Sequence, residues 1–265
     1  MRKTEAENEM KLDLMKECEG AKRIGISGHI RPDGDCVGAV LGMRMYLMKC
    51  LPEAEVQVFL EKPAEIFKEL KGFEEIDSGF PEEAPFDVFL ALDCGYERLG
   101  EAQKYFTAAA KTINIDHHIT NAGDGDVNYI RPEVGSVCEL IYDLIDEEKL
   151  DRELAEALYI GIIHDTGVFQ YSNTSPETLK KGAKLISYGF EFPRLILETF
   201  YQKTYLQTQI MGRALMESVR FMDNNSVNHK APICSAICRD RLFTQSWNVP
   251  RIVQPAALAC PPPPK

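Results

Sequence analysis

The chain has 265 residues, of which 45% are hydrophobic and 27% are charged, and its formal net charge is −11. These values are ordinary for a globular protein, and the length is enough for one large α/β domain with a small appendage. The acidic balance argues against a broad basic surface for long nucleic acid. It is compatible with a small anionic substrate that is held by metal ions.

Eight cysteines are scattered along the chain, and the first ten residues, MRKTEAENEM, are charged and contain no apolar core. A secretory signal needs such an apolar segment, so we expect a cytoplasmic protein with reduced thiols. No run approaches the ~18 apolar residues that a membrane helix requires. We therefore expect no membrane partner.

Predicted helices and strands alternate in the first half of the chain. Apolar residues at helical spacing predict helices over residues 5–20 and 36–51. Apolar runs predict strands at residues 23–28, 55–60, 86–92 and 112–115, and two further helices are expected at 65–70 and 97–110. This alternation is typical of an α/β fold with a doubly wound, mainly parallel sheet and right-handed crossovers.

The second half of the chain is predicted to be helical up to about residue 221. Helices are expected at residues 134–145 and 151–163, and a third opens at Ser175, which is suited to the N-cap position before Pro176. Residues 224–265 differ in composition, with one acidic residue, five Lys or Arg, and seven of the fifteen prolines. This composition predicts an irregular or disordered tail after the C-terminal helices.

The most informative stretch is Asn114-Ile115-Asp116-His117-His118, which directly follows an apolar run. In open α/β sheets, ligands bind in the crevice outside the carboxyl ends of the strands. Four of the five histidines lie next to an Asp or within a few residues of one, at the ends of apolar runs: His29, His117, His118 and His164. We therefore expect a shared crevice lined by imidazoles and carboxylates.

Residues at four such ends form one candidate ligand set: His29, Asp33, Asp35, Asp93, Asp116, His117, His118 and Asp165. Mixed oxygen and imidazole ligands suit Mn²⁺ and, less specifically, Zn²⁺, Fe²⁺ or Co²⁺. The set is larger than one ion requires. It fits a site in which two ions about 4 Å apart clamp a phosphoryl group.

Four motifs in order give this sequence its resemblance to the DHH phosphoesterase family: GHIRPDGD, ALDCG, NIDHH and GIIHDTG, within about residues 20–190. The NanoRNase-type members, which the sequence resembles, trim very short oligoribonucleotides and remove the 3′ phosphate of 3′-phosphoadenosine 5′-phosphate. The resemblance implies the same substrates here, with two Mn²⁺ ions and no other cofactor. Inorganic pyrophosphatase and cyclic-dinucleotide phosphodiesterase are alternatives within the family, and association with a second copy of the chain stays open.

The resemblance also implies a role for each motif residue. One ion would be held by His29, Asp33 and Asp93, and the other by Asp35, Asp93, His117 and Asp165, so that Asp93 bridges the two. Asp116 would orient a ligating imidazole, and His118 would contact the phosphate or assist the leaving group. Arg31 and Ser136 are weaker candidates for contact with the phosphate.

The end of the chain departs from the family pattern. NanoRNase-type members carry a second domain with a glycine-rich motif that grips the nucleotide, whereas residues 224–265 contain no glycine. We therefore expect a catalytic domain at residues 1–190, linker helices at 191–223, and a tail at 224–265 in place of the substrate-binding domain. A truncated or frameshifted chain would have this pattern, so an inactive metal-binding fragment is the alternative outside the enzyme class.

Overall fold

One six-stranded sheet organises the larger part of the computed structural model, which describes residues 12–216, 219–221 and 226–228. All its strands are parallel, and they lie in the order β3-β2-β1-β4-β5-β6. The strands are β1 (Arg23–Ser27), β2 (Glu55–Phe59), β3 (Ile76–Asp77), β4 (Val88–Leu92), β5 (Thr112–Asp116) and β6 (Val127–Ile130). The predicted α/β class and the parallel sheet are confirmed.

Seven α-helices accompany this sheet in the described residues up to Tyr201. They are α1 (Leu14–Glu17), α2 (Gly34–Cys50), α3 (Gln103–Ala108), α4 (Val137–Leu144), α5 (Arg152–Asp165), α6 (Pro176–Ile186) and α7 (Phe192–Ile196). The side chain of Ser175 caps α6, as predicted, and completes a capping box with Thr178. A π-helical turn, Leu197–Tyr201, follows α7.

The two outer strands and three of the helices differ from the sequence prediction. The edge strands β3 and β6 were not predicted, because they have only two and four residues and are only partly buried. The helix expected at 5–20 is α only over Leu14–Glu17, and residues 1–11 lie outside the described part. Short 3₁₀ turns replace the helix predicted at 65–70 and the first part of the helix predicted at 97–110.

Alternating side chains of the central strand β4 face two separate cores. Val88, Leu90 and Leu92 belong to the larger core, which also contains the buried faces of α2, α4 and α5. Phe89 and Ala91 belong to an aromatic core on the opposite face, with Tyr105 and Phe106 of α3 among its members. Burial on both faces explains why β4 is a continuous apolar run.

Glycines on α2 allow α2 and α5 to pack closely. A Cβ atom added at Gly38 would lie only 2.4 Å from the carbonyl oxygen of Ala157, and one at Gly42 would lie 3.0 Å from Leu158 Cδ2. The two helices therefore approach each other backbone to backbone at Gly38 and backbone to side chain at Gly42. This packing fixes the first turn of α2 relative to the last turn of α5.

The order of the strands reverses between β1 and β4, because β1 pairs with β2 on one side and with β4 on the other. A crevice at the carboxyl ends of the strands is expected at such a reversal. The chain leaves β1 at Ser27, directly before the GHIRPDGD motif, and it leaves β4 at Leu92 and β5 at Asp116, within the ALDCG and NIDHH motifs. The sheet therefore brings these motifs to one edge.

A second unit comprises Gln202–Lys265. Its described elements are α8 (Tyr205–Met216) and an antiparallel pair of short strands, β7 (Val219–Phe221) and β8 (Ser226–Asn228). This strand pair was not predicted, and most of the predicted tail lies outside the described residues. No helix in the described ranges is both long enough and apolar enough to cross a membrane.

The contact between α2 and α5 leads to a test of the fold. We expect Gly38→Ala to lower the free energy of unfolding by about 1–3 kcal/mol, because the new methyl group meets a backbone oxygen that cannot turn away. Denaturant unfolding followed by circular dichroism measures this. The control is Gly212→Ala on α8, where an added Cβ has nothing within 4 Å. Equal stability of Gly38→Ala and the wild type would contradict the close packing.

Candidate metal centre

The eight candidate ligand residues lie together at the carboxyl edge of the sheet. Three overlapping groups have ligand atoms within 4.8 Å of one another: Asp93 with Asp116, His117 and His118; His29 with Cys36 and Asp93; and Asp35 with His117 and Asp165. Asp33 adjoins the second group, because its Oδ1 is 3.6 Å from His29 Nε2. The tertiary structure thus assembles one cluster from four separate motifs.

Asp93 lies at the centre of the cluster. Its Oδ2 is 3.4 Å from His29 Nε2, whereas its Oδ1 is 3.6 Å from His117 Nε2. The side chain is almost fully buried, and Oδ1 has no hydrogen-bond partner. Its backbone is left-handed, with φ of +62°, a conformation that non-glycine residues rarely adopt outside functional sites. Oδ1 is also 3.6 Å from His118 Nδ1, so one oxygen of this carboxylate faces His29 and the other faces His117 and His118.

His29 and Asp33 form the first half of the cluster. The ring Nδ1 of His29 donates to the carbonyl oxygen of Ile30 over 2.9 Å, so its Nε2 is directed at the carboxylates of Asp33 and Asp93. Asp33 is the N-cap of α2, and its Oδ1 accepts hydrogen bonds from the backbone N–H groups of Asp35 and Cys36. The cap fixes the loop that carries both residues.

The second half of the cluster contains Asp35 and His117. The fully buried carboxylate of Asp35 accepts hydrogen bonds from the backbone N–H groups of Val137 (2.6 Å) and Cys138 (2.9 Å), which open α4. The helix dipole of α4 favours the charged form of that carboxylate. His117 donates from Nδ1 to the carbonyl oxygen of Val134 over 3.2 Å, which directs its Nε2 toward the acidic groups.

Asp165, the last residue of α5, completes this second half. Its Oδ2 is 3.1 Å from His117 Nε2, yet that buried nitrogen has no partner in hydrogen-bond geometry. A Cβ added at Gly161, one turn earlier on α5, would lie 2.5 Å from Asp35 Oδ1. The missing side chain therefore lets α5 bring Asp165 close to His117 and Asp35.

Asp116 contacts His118, and this differs from the expectation that it orients a ligating imidazole. Its Oδ1 accepts hydrogen bonds from His118 Nδ1 (2.8 Å) and from the backbone N–H groups of His117 and His118. Burial by itself raises the pKa of Asp116, but hydrogen bonds from His118 and Asn121 outweigh it and lower the pKa. An ionised carboxylate only accepts, so Nδ1 of His118 carries a proton and Nε2 is the ring atom left for other contacts.

The buried carboxylates of the cluster favour the binding of a cation. Burial and the charge of Asp165 raise the pKa of Asp35 to about 7, and burial together with Asp35 raises the pKa of Asp93 well above its usual value. Burial alone would lower the pKa of His29 and of His117, but the neighbouring carboxylates raise both to about 10. Protons thus supply the positive charge that a divalent ion could supply instead. The two atoms without partners, Asp93 Oδ1 and His117 Nε2, fit this interpretation.

Three other residues singled out in the sequence have different surroundings. Ser136 is fully buried and caps α4 by accepting from the N–H of Glu139, and its contact with a phosphate stays a prediction. Arg31 is exposed on the loop that holds His29 and Asp33, and its role in phosphate contact stays a prediction. His164 packs its ring near Phe67 and Phe200, and its Nε2 lies 3.2 Å from Thr199 Oγ1.

Sequence analysis missed the asparagines that support the cluster. Asn114, nearly fully buried in β5, donates through Nδ2 to the carbonyl oxygens of Ala91 and Cys94, on either side of Asp93. Asn121 donates to Asp116 Oδ2 over 2.6 Å. A polar amide inside an apolar strand is a signal that could have found Asn114, because buried polar groups need partners.

The fold and this cluster define an α/β protein with a mixed imidazole and carboxylate centre at the sheet's reversal point. A family model described as the N-terminal domain of the DHH family matches residues 23–162, more than half of the chain. The chain therefore belongs to the DHH family, as the four motifs predicted.

Curated relatives have similar sequences over much of the chain. The bifunctional oligoribonuclease and PAP phosphatase NrnA of Bacillus subtilis is 29% identical over 225 residues, which cover 83% of this chain and 69% of that protein. The protein of the same name from Thermus thermophilus is 31% identical over 187 residues, which cover 69% of this chain and 55% of that protein. Both activities in these names are hydrolyses of phosphoester bonds, so the chain belongs to a family of phosphoester hydrolases.

A solved structure has a similar fold. An exopolyphosphatase-related protein from Bacteroides fragilis superposes with a TM-score of 0.72 at 25% identity, covering 81% of this chain and 66% of that one. The chain thus spans between about half and just over two thirds of these three proteins.

The protonated imidazoles lead to a prediction about metal binding. We expect the apparent affinity for a divalent ion to rise with pH, because His29 and His117, with pKa values of about 10, must lose their protons to bind it. Below that pH, each displaced proton strengthens binding roughly tenfold per pH unit. Calorimetric titrations at about pH 6.5 and about pH 8.5, in buffers of different ionisation enthalpy, measure both the affinity and the released protons. An affinity independent of pH, without proton release, would contradict this.

Proposed function

We propose that this chain is a Mn²⁺-dependent phosphoesterase that hydrolyses short oligoribonucleotides and 3′-phosphoadenosine 5′-phosphate. The observation that carries the proposal is the position of Asp93, whose two oxygens face His29 on one side and His117 on the other. A carboxylate in that position suits a bridge between two cations. The names of the Bacillus subtilis and Thermus thermophilus relatives support the substrate class.

In this proposal, two Mn²⁺ ions share Asp93. The first is held by His29, Asp33 and Asp93, and the second by Asp35, Asp93, His117 and Asp165. Imidazole and carboxylate ligands together favour Mn²⁺ over Mg²⁺ or Ca²⁺, which prefer oxygen ligands alone. When bound, the ions would neutralise the negative charge of the phosphoryl oxygens and lower the pKa of a water molecule.

The residues of the chain divide the remaining tasks. The carbonyl oxygens of Ile30 and Val134 fix the rings of His29 and His117 so that each presents Nε2 to an ion. Asp116 fixes His118 in the same way, with a carboxylate in place of the carbonyl oxygen. Nε2 of His118 is left for other contacts, and in this proposal it donates a proton to the oxygen of the leaving group. Arg31 contributes a positive charge at the rim of the site.

The net charge of −11 and the small size of the cluster favour short anionic substrates over long nucleic acid. A mononucleotide 3′ phosphate and the phosphodiester of a dinucleotide both have negatively charged non-bridging oxygens that the ions could bind. A cytoplasmic location and association with a second copy of the chain are part of the proposal and await direct measurement.

The activity test uses a 5′-phosphorylated diadenylate with Mn²⁺. We expect release of mononucleotide by the wild type, and a decrease of about a hundredfold or more in Asp165→Ala, because that variant loses a ligand from one ion. Asp143→Ala is the matched control, since this exposed carboxylate on α4 pairs with Lys181 instead of facing the cluster. No turnover by the wild type would favour the inactive metal-binding fragment over the enzyme.

The bridging role of Asp93 is tested by counting bound ions. We expect Asp93→Asn to lose both Mn²⁺ equivalents, and Asp165→Asn to lose only one, because only Asp93 serves both positions. Asparagine keeps the shape of the side chain and tolerates the left-handed backbone at this position. Metal analysis after gel filtration, with circular dichroism to verify folding, gives the count. Two equivalents retained by Asp93→Asn would refute the bridge.

A further inference from the structure

Two asparagines form a hydrogen-bonded chain that ends at His118. The amide nitrogen of Asn121 donates to Asp116 Oδ2 (2.6 Å) and to Asn114 Oδ1 (2.8 Å). Asp116 in turn accepts from His118 Nδ1 through its other oxygen. All four side chains are held by direct contacts, and none of the three links involves a residue that the proposed function assigns to an ion.

The two ends of this chain are anchored in the backbone. Asn114 Nδ2 donates to the carbonyl oxygens of Ala91 (3.1 Å) and Cys94 (2.7 Å), and Asn121 Oδ1 accepts from the N–H of Gly123 (2.9 Å). Each amide hydrogen therefore has an acceptor, and each amide oxygen has a donor. This pattern leaves one orientation for each amide group, because a flipped amide would place N–H groups against N–H groups.

We propose that Asn121, oriented by Asn114, is a positioning residue that holds Asp116 and thereby aims His118 at the leaving oxygen of the phosphoester. The inference rests on the proposed function, and it adds a task that the metal ligands do not perform. Asp116 accepts three hydrogen bonds at Oδ1 but only the one from Asn121 at Oδ2. Without Asn121, its carboxylate loses the contact that sets its rotation.

Asn114 also connects this hydrogen-bonded chain to the turn that carries Asp93. Its two acceptors, Ala91 and Cys94, lie on either side of Asp93, whose left-handed backbone turns the chain out of β4. One amide thus fixes the turn that presents Asp93 and, through Asn121, the orientation of His118. The position of the bridging carboxylate and the direction of the imidazole are therefore set by a common support.

A role in proton donation makes the effect of Asn121 depend on the leaving group. A ribonucleoside alkoxide needs a proton as it leaves, whereas p-nitrophenolate is stable without one. For Asn121→Ala we expect kcat on diadenylate to fall about 10- to 100-fold with little change in KM. On a nucleoside 5′-(p-nitrophenyl phosphate), the decrease should be less than about threefold.

Two further variants distinguish a positioning role of Asn121 from a general disturbance of the structure. Asn121→Asp keeps the shape of the side chain and the oxygen that accepts from Gly123, but it places an oxygen against Asp116, so we expect the same selective loss. Asn128→Ala removes an asparagine of β6 whose amide forms hydrogen bonds with the backbone of Gly125, and we expect no change on either substrate. An equal decrease on both substrates in the Asn121 variants would overturn the inference.

A measurement without turnover separates this inference from the proposed function. Imidazole nitrogen resonances of His118, recorded with a diamagnetic divalent ion bound, should report a protonated Nδ1 in the wild type and a mixture of tautomers in Asn121→Ala. The number of bound ions should stay the same. An inactive wild type with this tautomer shift would reject the function but keep the positioning role, whereas an unchanged tautomer would reject the positioning role.

Discussion

The structure depends on the burial of several carboxylates in one crevice. Asp35, Asp93 and Asp116 are each almost completely buried, and buried negative charges are stable only when positive charges or hydrogen-bond donors surround them. Asp116 has donors on both oxygens, and Asp35 has the N-terminus of α4. Asp93 has an oxygen with no donor, and this oxygen marks where positive charge is needed.

Adjacent histidines acquire different tasks through different partners. His117 is oriented by a neutral backbone carbonyl, that of Val134, which fixes the ring without adding charge. His118 is oriented by the ionised carboxylate of Asp116. In the proposed function, one imidazole binds a cation and the other donates a proton. Two identical side chains, neighbours in the sequence, are distinguished only by what lies behind each ring.

Close helix packing assembles the second half of the centre. The carbonyl oxygen of Ala157 lies against Gly38, and the carboxylate of Asp35 lies against Gly161, so α5 runs near α2 and α4 without intervening side chains. That approach brings Asp165 to His117 from an element far along the chain. The main hydrophobic core thus has a direct part in the geometry of the site.

The sequence by itself determined the α/β class, the central strands and the residue types of the centre, because buried parallel strands are apolar runs and their carboxyl ends share one edge. It did not determine the edge strands β3 and β6, which are too short and too exposed to give a pattern. Only the tertiary structure decided that Asp116 contacts His118 and that the ring of His164 packs beside Phe67 and Phe200. Only it revealed that Asn114 and Asn121 connect β4 to β5, since hydrogen bonds between distant segments follow from packing and leave no periodic trace in the chain.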